Sequence, residues 1–282
     1  MKRLEERKVM GVIPACDLAV IGGSSTFSLA FPEDLGSKET RVVEEGLIVE
    51  TPFGQSPPMK IFELKGKKVI TCKMHGWRKG VSWASASRQV FWAFREAGIK
   101  KIISEGGVGC ISPELRVRDL VIPDDYIDFS LRRDVSLSDD YLLIMRDSLC
   151  PALRALLVKA ARQSGSSRVH DGGVCAVTDG RHFESRAEVL MLSNLGADMV
   201  GQSLAPEVYL AREIGACYAG IYQVVNYAEG IKDEWDYEAF REIFYAEAKR
   251  IGAIILKTVS SLSDCLPPCS CQSLRKPTLL KE

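Results

Sequence analysis

Phe183, Glu184 and Asn226 are the residue types that hold a flat nitrogen heterocycle. They offer an aromatic face to stack on, a carboxylate that accepts from ring N–H groups, and an amide that both donates and accepts. The first two lie in Thr178-Asp179-Gly180-Arg181-His182-Phe183-Glu184-Ser185-Arg186-Ala187-Glu188, which is followed by Gly201-Gln202-Ser203-Leu204-Ala205-Pro206-Glu207-Val208 and then by Asn226-Tyr227. A purine carrying a sugar fits that set. Spread so far along the chain, the three residues act together only if a fold gathers them.

Three further segments could handle an anion or a hydroxyl. Gly22-Gly23-Ser24-Ser25 follows an apolar run, so backbone N–H groups and two hydroxyls would gather at the end of a strand, as an anion cradle or as plain loop chemistry. It is not a dinucleotide fingerprint, because the third glycine of G-x-G-x-x-G is missing. Ser104-Glu105-Gly106-Gly107-Val108-Gly109 permits close backbone approach to a ligand, with Glu105 either a solvated loop charge or a reader of a sugar hydroxyl. Met74-His75-Gly76-Trp77-Arg78-Lys79-Gly80 sets a histidine and two cations past another strand, as an anion contact or an ordinary surface loop. His182 either faces solvent or caps the helix that starts near Ser185, and Glu207 alone could be a first-turn charge favoured by the helix dipole.

Composition bounds the class. The 282 residues suffice for one large α/β domain, and 37 Lys plus Arg against 37 Asp plus Glu give zero formal charge, without the basic footprint of a nucleic-acid binder. An anionic ligand must therefore be held by local chemistry. The charged residues 1–7 lead into no long apolar run, so neither a signal peptide nor a membrane span is expected, and the expected location is cytoplasmic.

Of nine cysteines, Cys16, Cys72, Cys110, Cys150, Cys175 and Cys217 lie singly in or beside apolar segments and are expected to be small buried hydrophobes. Cys265, Cys269 and Cys271 form a terminal group that reads as a redox pair, a metal clip or three thiols on a loose tail. The metal clip ranks last, for no fourth ligand is visible nearby.

The elements that must position these groups follow a βαβ pattern, predicting a large mixed sheet with helices on both faces. Strands are expected at 17–22, 59–64, 68–74, 101–104, 120–126, 173–177, 199–201 and 217–225. Helices are expected at 85–97, 150–163, 185–195 and 205–214, each with a glycine just beyond its end, and at 235–262, which carries a broad apolar stripe. Segments 54–58 and 130–140 read as irregular insertions. The resulting division is an extension at 1–16, an α/β domain at 17–264 and a loose cysteine-containing tail at 265–282.

Taken in order, the segments resemble the trimeric purine nucleoside phosphorylase family, most closely its methylthioadenosine phosphorylase branch. The resemblance covers roughly 17–262 and rests on Val20-Ile21-Gly22-Gly23-Ser24, Thr51-Pro52-Phe53-Gly54, His75-Gly76, the glycine segment before Cys110, Asp119 with Asp128, Phe183 with Ser185-Arg186-Ala187-Glu188, Gly196-Ala197-Asp198, Pro206-Glu207-Val208 and Cys217-Tyr218-Ala219. It implies a large mixed sheet flanked by helices and cleavage of a purine nucleoside by phosphate to free base and a sugar 1-phosphate. It also implies a homotrimer or dimer of trimers, with phosphate as co-substrate and no metal or organic cofactor. By position, Ser24, His75, Gly107 and Ser203 would surround phosphate, Phe183 would stack on the base, Gln202 would underlie the ribose and Glu207 would bind a sugar hydroxyl. Asn226 and His75 are the candidate catalytic residues.

Four departures from the family pattern matter. The methylthioadenosine branch has Asp-x-Asp where this chain has Asn226 and Ala228, while Glu184 with Asn226 matches the 6-oxopurine branch. The expected base is therefore 6-oxo, with methylthioadenosine or methylthioinosine as the alternative substrate. Met74 and Trp77 stand where the phosphate loop usually has arginines, Gly106 replaces a hydroxyl residue, and Gln202 replaces a Met. Met74, Trp77 and Gly106 motivate a further alternative, a homologue that binds nucleoside without turning it over.

Overall fold

The computed structural model describes residues 8–9, 13–132, 134–165, 168–232, 237–262 and 268–279. Strands β1 (Lys8–Val9), β2 (Leu18–Ile21), β3 (Thr40–Thr51), β4 (Gly54–Gln55), β5 (Met59–Leu64) and β6 (Lys67–Cys72) precede helix α1 (Trp83–Glu96). Next come β7 (Lys101–Cys110), β8 (Leu120–Ile122), β9 (Asp125–Asp128), β10 (Tyr141–Leu143), α2 (Pro151–Arg162), β11 (Val169–Asp171) and β12 (Val174–Val177). The order ends with α3 (Arg186–Asn194), β13 (Met199–Gly201), α4 (Leu204–Glu213), β14 (Cys217–Tyr227), α5 (Tyr237–Ser261) and β15 (Arg275–Pro277).

Thirteen of these strands form one mixed sheet, and β10 pairs with β15 in a separate antiparallel ribbon. The hub is β7, which runs parallel to β2 on one side and to β14 on the other, with its far end antiparallel to β13. Alternation along the strand sends Ile102 and Ile103 into different cores. One core packs Val90, Phe91 and Phe94 of α1 with Leu204 and Leu210 of α4; the other packs Leu153 and Leu157 of α2 with Ile251 and Ile255 of α5. The α/β architecture, a large mixed sheet flanked by helices, is thus the one the sequence predicts.

Local departures have physical causes. Strand β7 does not stop at Ser104: it continues through Glu105-Gly106-Gly107-Val108-Gly109, because β14 supplies ladder partners up to Cys110. The expected strand 120–126 divides at Pro123, which cannot donate to a ladder, into β8 and β9. The twelve-residue β3 was not expected, since three of its four exposed positions are charged (Arg41, Glu45 and Glu50, beside Val43) and it pairs chiefly with β5. The described residues of segment 130–140 are irregular as expected, with β10 just beyond them. Trp235 falls outside the described residues, whereas the described part of the tail expected to be loose, 268–279, is docked: β15 pairs with β10 in the register Leu142↔Lys276.

No helix among the described residues is long and apolar enough to cross a membrane.

Candidate active site

Parallel β2, β7 and β14 bring the turn after Ile21, the second half of β7 and the end of β14 to one side, the carboxyl-end crevice where open α/β sheets hold ligands. A cavity of about 250 Å³ opens there. Its lining includes Ser24, His75, Gly107, Phe183, Glu184, Gln202, Ser203 and Asn226, so eight of the nine candidate residues meet in one place.

The ninth, Glu207, is not in the lining. Its carboxylate is 2 % exposed and both oxygens are engaged: Oε1 with His75 Nδ1 at 2.8 Å, and Oε2 with the Tyr218 hydroxyl, which donates at 2.8 Å. Tyr218 in turn meets Ser104 Oγ at 2.7 Å. Burial first, then the Glu207 carboxylate, push the Tyr218 phenol well above its ordinary range, so it stays a neutral donor. Expected as a sugar contact, Glu207 instead orients the imidazole from behind.

His75 reaches the cavity through unusual backbone. Met74, His75 and Gly76 follow one another at φ 50°, 53° and 75°, left-handed values that two of these residue types rarely adopt. The His75 N–H donates to Gly22 O at 2.9 Å, tying this turn to the one after β2. A Cβ on Gly23 would lie 2.5 Å from His75 Nε2 and 2.1 Å from Glu105 O, so only glycine lets the two turns approach this closely.

Glu105 is neither a solvated charge nor a sugar reader. It is fully buried, and its carboxylate accepts from the backbone N–H groups of Gly23, Ser25 and Thr26 and, at 2.6 Å, from Thr26 Oγ1. Much of the cradle expected to receive an external anion therefore surrounds the protein's own carboxylate. Ser24 escapes this clamp, and its Oγ accepts from Gly107 N–H at 2.8 Å beside the cavity.

At the opposite end, Glu184 Oε1 accepts from Thr178 Oγ1 at 2.5 Å. Phe183 is 47 % exposed and meets Phe240 edge-on at 6.2 Å. Asn226 Nδ2 donates to Tyr227 O at 2.9 Å, which uses one of its two amide hydrogens. Gln202 Nε2 donates to His182 O at 3.2 Å, and a Cβ on Gly180 would strike its Oε1 at 2.2 Å. His182 does not cap α3; Ser185 does, in a capping box with Glu188.

No Lys or Arg lines this cavity among the described residues. Arg78 is drawn away by Gly76 O, Gln55 O and the Gln89 side chain. Lys79 is exposed outside the lining. Trp77 stacks on Trp83 at 3.8 Å between ring centroids, and Arg132 lies over the other indole at 5.3 Å. That guanidinium is occupied by Asp179 at 3.2 Å and by the carbonyls of Thr178 and Gln202. At Gly106 a Cβ would come within 3.3 Å of the Tyr222 ring and 3.5 Å of Ser203 Oγ, so a side chain there would require the tyrosine to shift slightly.

Several lining residues were not anticipated as site residues, among them Val200, Val225, Glu229, Phe240 and Phe244. Phe240 and Phe244 belong to the apolar stripe of α5, and helical spacing does not separate a core position from one that roofs a cavity. Phe244 joins Phe240 at 4.9 Å and Phe27 at 6.2 Å, forming an aromatic roof over Gly107.

The fold and this crevice are those of an α/β protein with a ligand cavity at the carboxyl ends of its strands, and comparison with known proteins gives its family. The Phosphorylase superfamily profile matches residues 17–260, and the chain belongs to that superfamily, in the group of purine nucleoside and methylthioadenosine phosphorylases. It is 34% identical over 218 residues to a probable S-methyl-5'-thioinosine phosphorylase of Methanothermobacter thermautotrophicus, covering 76% of this chain and 72% of the relative. It is 32% identical over 254 residues to a probable 6-oxopurine nucleoside phosphorylase of Thermococcus kodakarensis, covering 86% and 91%. Among solved structures, a methylthioadenosine phosphorylase from an Antarctic soil metagenomic library matches in fold with TM-score 0.79 at 24% identity, covering 92% of this chain and 91% of that one.

Proposed function

We propose that this chain cleaves the N-glycosidic bond of a 6-oxopurine nucleoside by phosphorolysis, releasing free base and a pentose 1-phosphate. The observation that carries the base preference is the meeting of Glu184 and Asn226 in one cavity beside the exposed ring of Phe183. Glu184 accepts from N1–H, and the free amide hydrogen of Asn226 donates to N7 or O6. As the C1'–N9 bond breaks, its electron pair moves onto the purine, where Asn226 stabilises the developing negative charge. A phosphate oxygen then bonds C1' of the ribosyl cation from the opposite face. Ser24, His75, Gly107 and Ser203 hold that phosphate, Gln202 lies under the sugar, and Glu207 fixes the His75 ring without touching substrate.

The aromatic roof favours a more specific reading of the same chemistry. Phe240 and Phe244, with Trp77 and Val225, give part of the cavity an apolar wall suited to a 5'-methylthio group. A 5'-methylthioinosine combines that group with a 6-oxopurine, in keeping with the similarity to the Methanothermobacter protein. Phosphate here is held by neutral donors and one imidazole, which predicts weak phosphate affinity. The proposed assembly is a cytoplasmic homotrimer. Leu131, 92 % exposed and hydrogen-bonded through its N–H to Asp179 of the cavity loop, supports coverage by a neighbouring subunit.

The deciding experiment measures base release from inosine, guanosine, methylthioinosine and methylthioadenosine, with and without phosphate, in the native chain and in Met74→Arg. Phosphate-dependent release from the 6-oxo substrates, with a phosphate KM lowered about tenfold in the variant, is the expected result. Equal release without phosphate would mean hydrolysis, and no release from any of the four would leave a nucleoside-binding homologue.

A further inference from the structure

Cys150, Cys217, Cys269 and Cys271 converge, with all four sulfurs within 4.8 Å of one another. They come from three separate parts of the chain. Cys150 is the residue before α2, Cys217 opens β14, and Cys269-Ser270-Cys271 belongs to the tail. The fourth ligand missing from the neighbourhood of the tail cysteines in sequence is thus supplied, with a further one, by the sheet and helix.

We propose that these four cysteines form a structural tetrathiolate site for a divalent zinc ion. Tetrahedral zinc with bonds of about 2.3 Å to sulfur needs its ligands about 3.8 Å apart. Cys217 and Cys269 lie at 3.5 Å, and the 4.8 Å limit on the whole group lets a small inward movement complete the tetrahedron. All four are free thiols, and a disulfide would require about 2.05 Å. Binding would release four thiol protons to solvent and leave every cysteine at its present oxidation level, so no oxidant is needed. Four protein sulfurs close the coordination sphere, which marks a structural rather than a catalytic metal. Soft thiolates also select zinc over magnesium or calcium.

The scaffold is already arranged for such an ion. Cys150 N–H donates to Tyr218 O at 2.8 Å, fixing the first ligand beside the second, and Cys217 N–H donates to Lys100 O at 2.9 Å. Arg212, itself 2 % exposed, donates to Cys271 O at 3.3 Å and to Asp147 O at 2.6 Å, holding the tail turn against the loop before α2. The N-terminus of α2, which has no side-chain cap, adds a positive potential opposite an anionic sulfur cluster. Cys150 and Cys271 are buried while Cys269 is exposed, which leaves the ion a path of entry. Cys217 and Asn226 lie near opposite ends of β14, about 30 Å apart at the usual rise per residue, so the site is remote from the cavity.

The test is metal content by mass spectrometry after purification under reducing conditions with Zn²⁺ supplied and the excess removed. The native chain should retain about one zinc per polypeptide, and Cys150→Ser and Cys269→Ser at least tenfold less. Because β15 and Arg212 hold the tail independently, Cys269→Ser should remain folded by circular dichroism. Co²⁺ in place of zinc should give the thiolate charge-transfer band of a tetrahedral sulfur site, and a chelator should lower Tm in the native chain but not in Cys269→Ser. No retained zinc in a folded native chain overturns the proposal. So does undiminished zinc in both variants, or disulfides among the four cysteines that persist under those reducing conditions.

Discussion

In the function proposed for this chain, Asn226 stands where the resemblance implies an aspartate serving a 6-aminopurine. Its amide lies in the lining with Glu184, and one hydrogen is committed to Tyr227 O. The remaining hydrogen suits an acceptor on the base, which a 6-oxopurine has at both O6 and N7. Replacing the amide with a carboxyl group that can carry a proton should move preference toward the 6-amino base. Asn226→Asp is expected to raise the ratio of 6-amino to 6-oxo turnover, measured as relative kcat/KM, by roughly tenfold. An unchanged ratio would remove Asn226 from base selection. Neither residue announces this alone: Glu184 beside Phe183 was a legible pair, but a lone Asn at the end of an apolar run gains a role only when β14 carries it to the same cavity.

At the scale of elements, the site depends on two turns pressed together at the ends of β2 and β6. Glu105, inside β7, binds one turn through three backbone amides and a hydroxyl; Glu207, from α4, holds the histidine of the other. Both carboxylates had plausible ligand-binding readings in sequence, and both prove to be internal scaffolding. The reason is topological: β7 extends under its glycine segment instead of ending before it, which buries Glu105 against the turn after β2. In Glu105→Gln one oxygen becomes an N–H group facing the donors that the carboxylate now satisfies. The expected loss is about 2–3 kcal/mol of unfolding free energy, read by urea denaturation. A variant within about 0.5 kcal/mol of native would show that the turn is held by other means.

For the whole molecule, Trp83, Phe91, Trp92 and Phe94 carry more large apolar surface than one helix normally buries. The fold uses most of it internally, since Phe91 and Phe94 are fully buried, Trp92 packs against the core and Trp83 stacks on Trp77. The proposed trimer must therefore rest on other surfaces, including exposed Leu131, Leu190 and Leu195. Sedimentation equilibrium should return three times the 31.1 kDa chain mass, and a species at the chain mass alone would refute that assembly.

The order of strands and helices was legible because apolar periodicity and terminal glycines are local properties, carried by residues adjacent in sequence. The same holds for Phe183-Glu184, Gly22-Gly23-Ser24 and His75, whose neighbours make each a recognisable unit. Other features depend on contacts between distant segments. Tertiary structure alone decided that β7 continues past Ser104, that Glu207 supports His75 from behind, that Arg78 is turned from the cavity, and that Phe240 and Phe244 roof it. It alone brought Cys150 and Cys217 to the tail cysteines, because sequence spacing records neighbours along the chain, while a four-ligand cluster is made by pairing and packing across it.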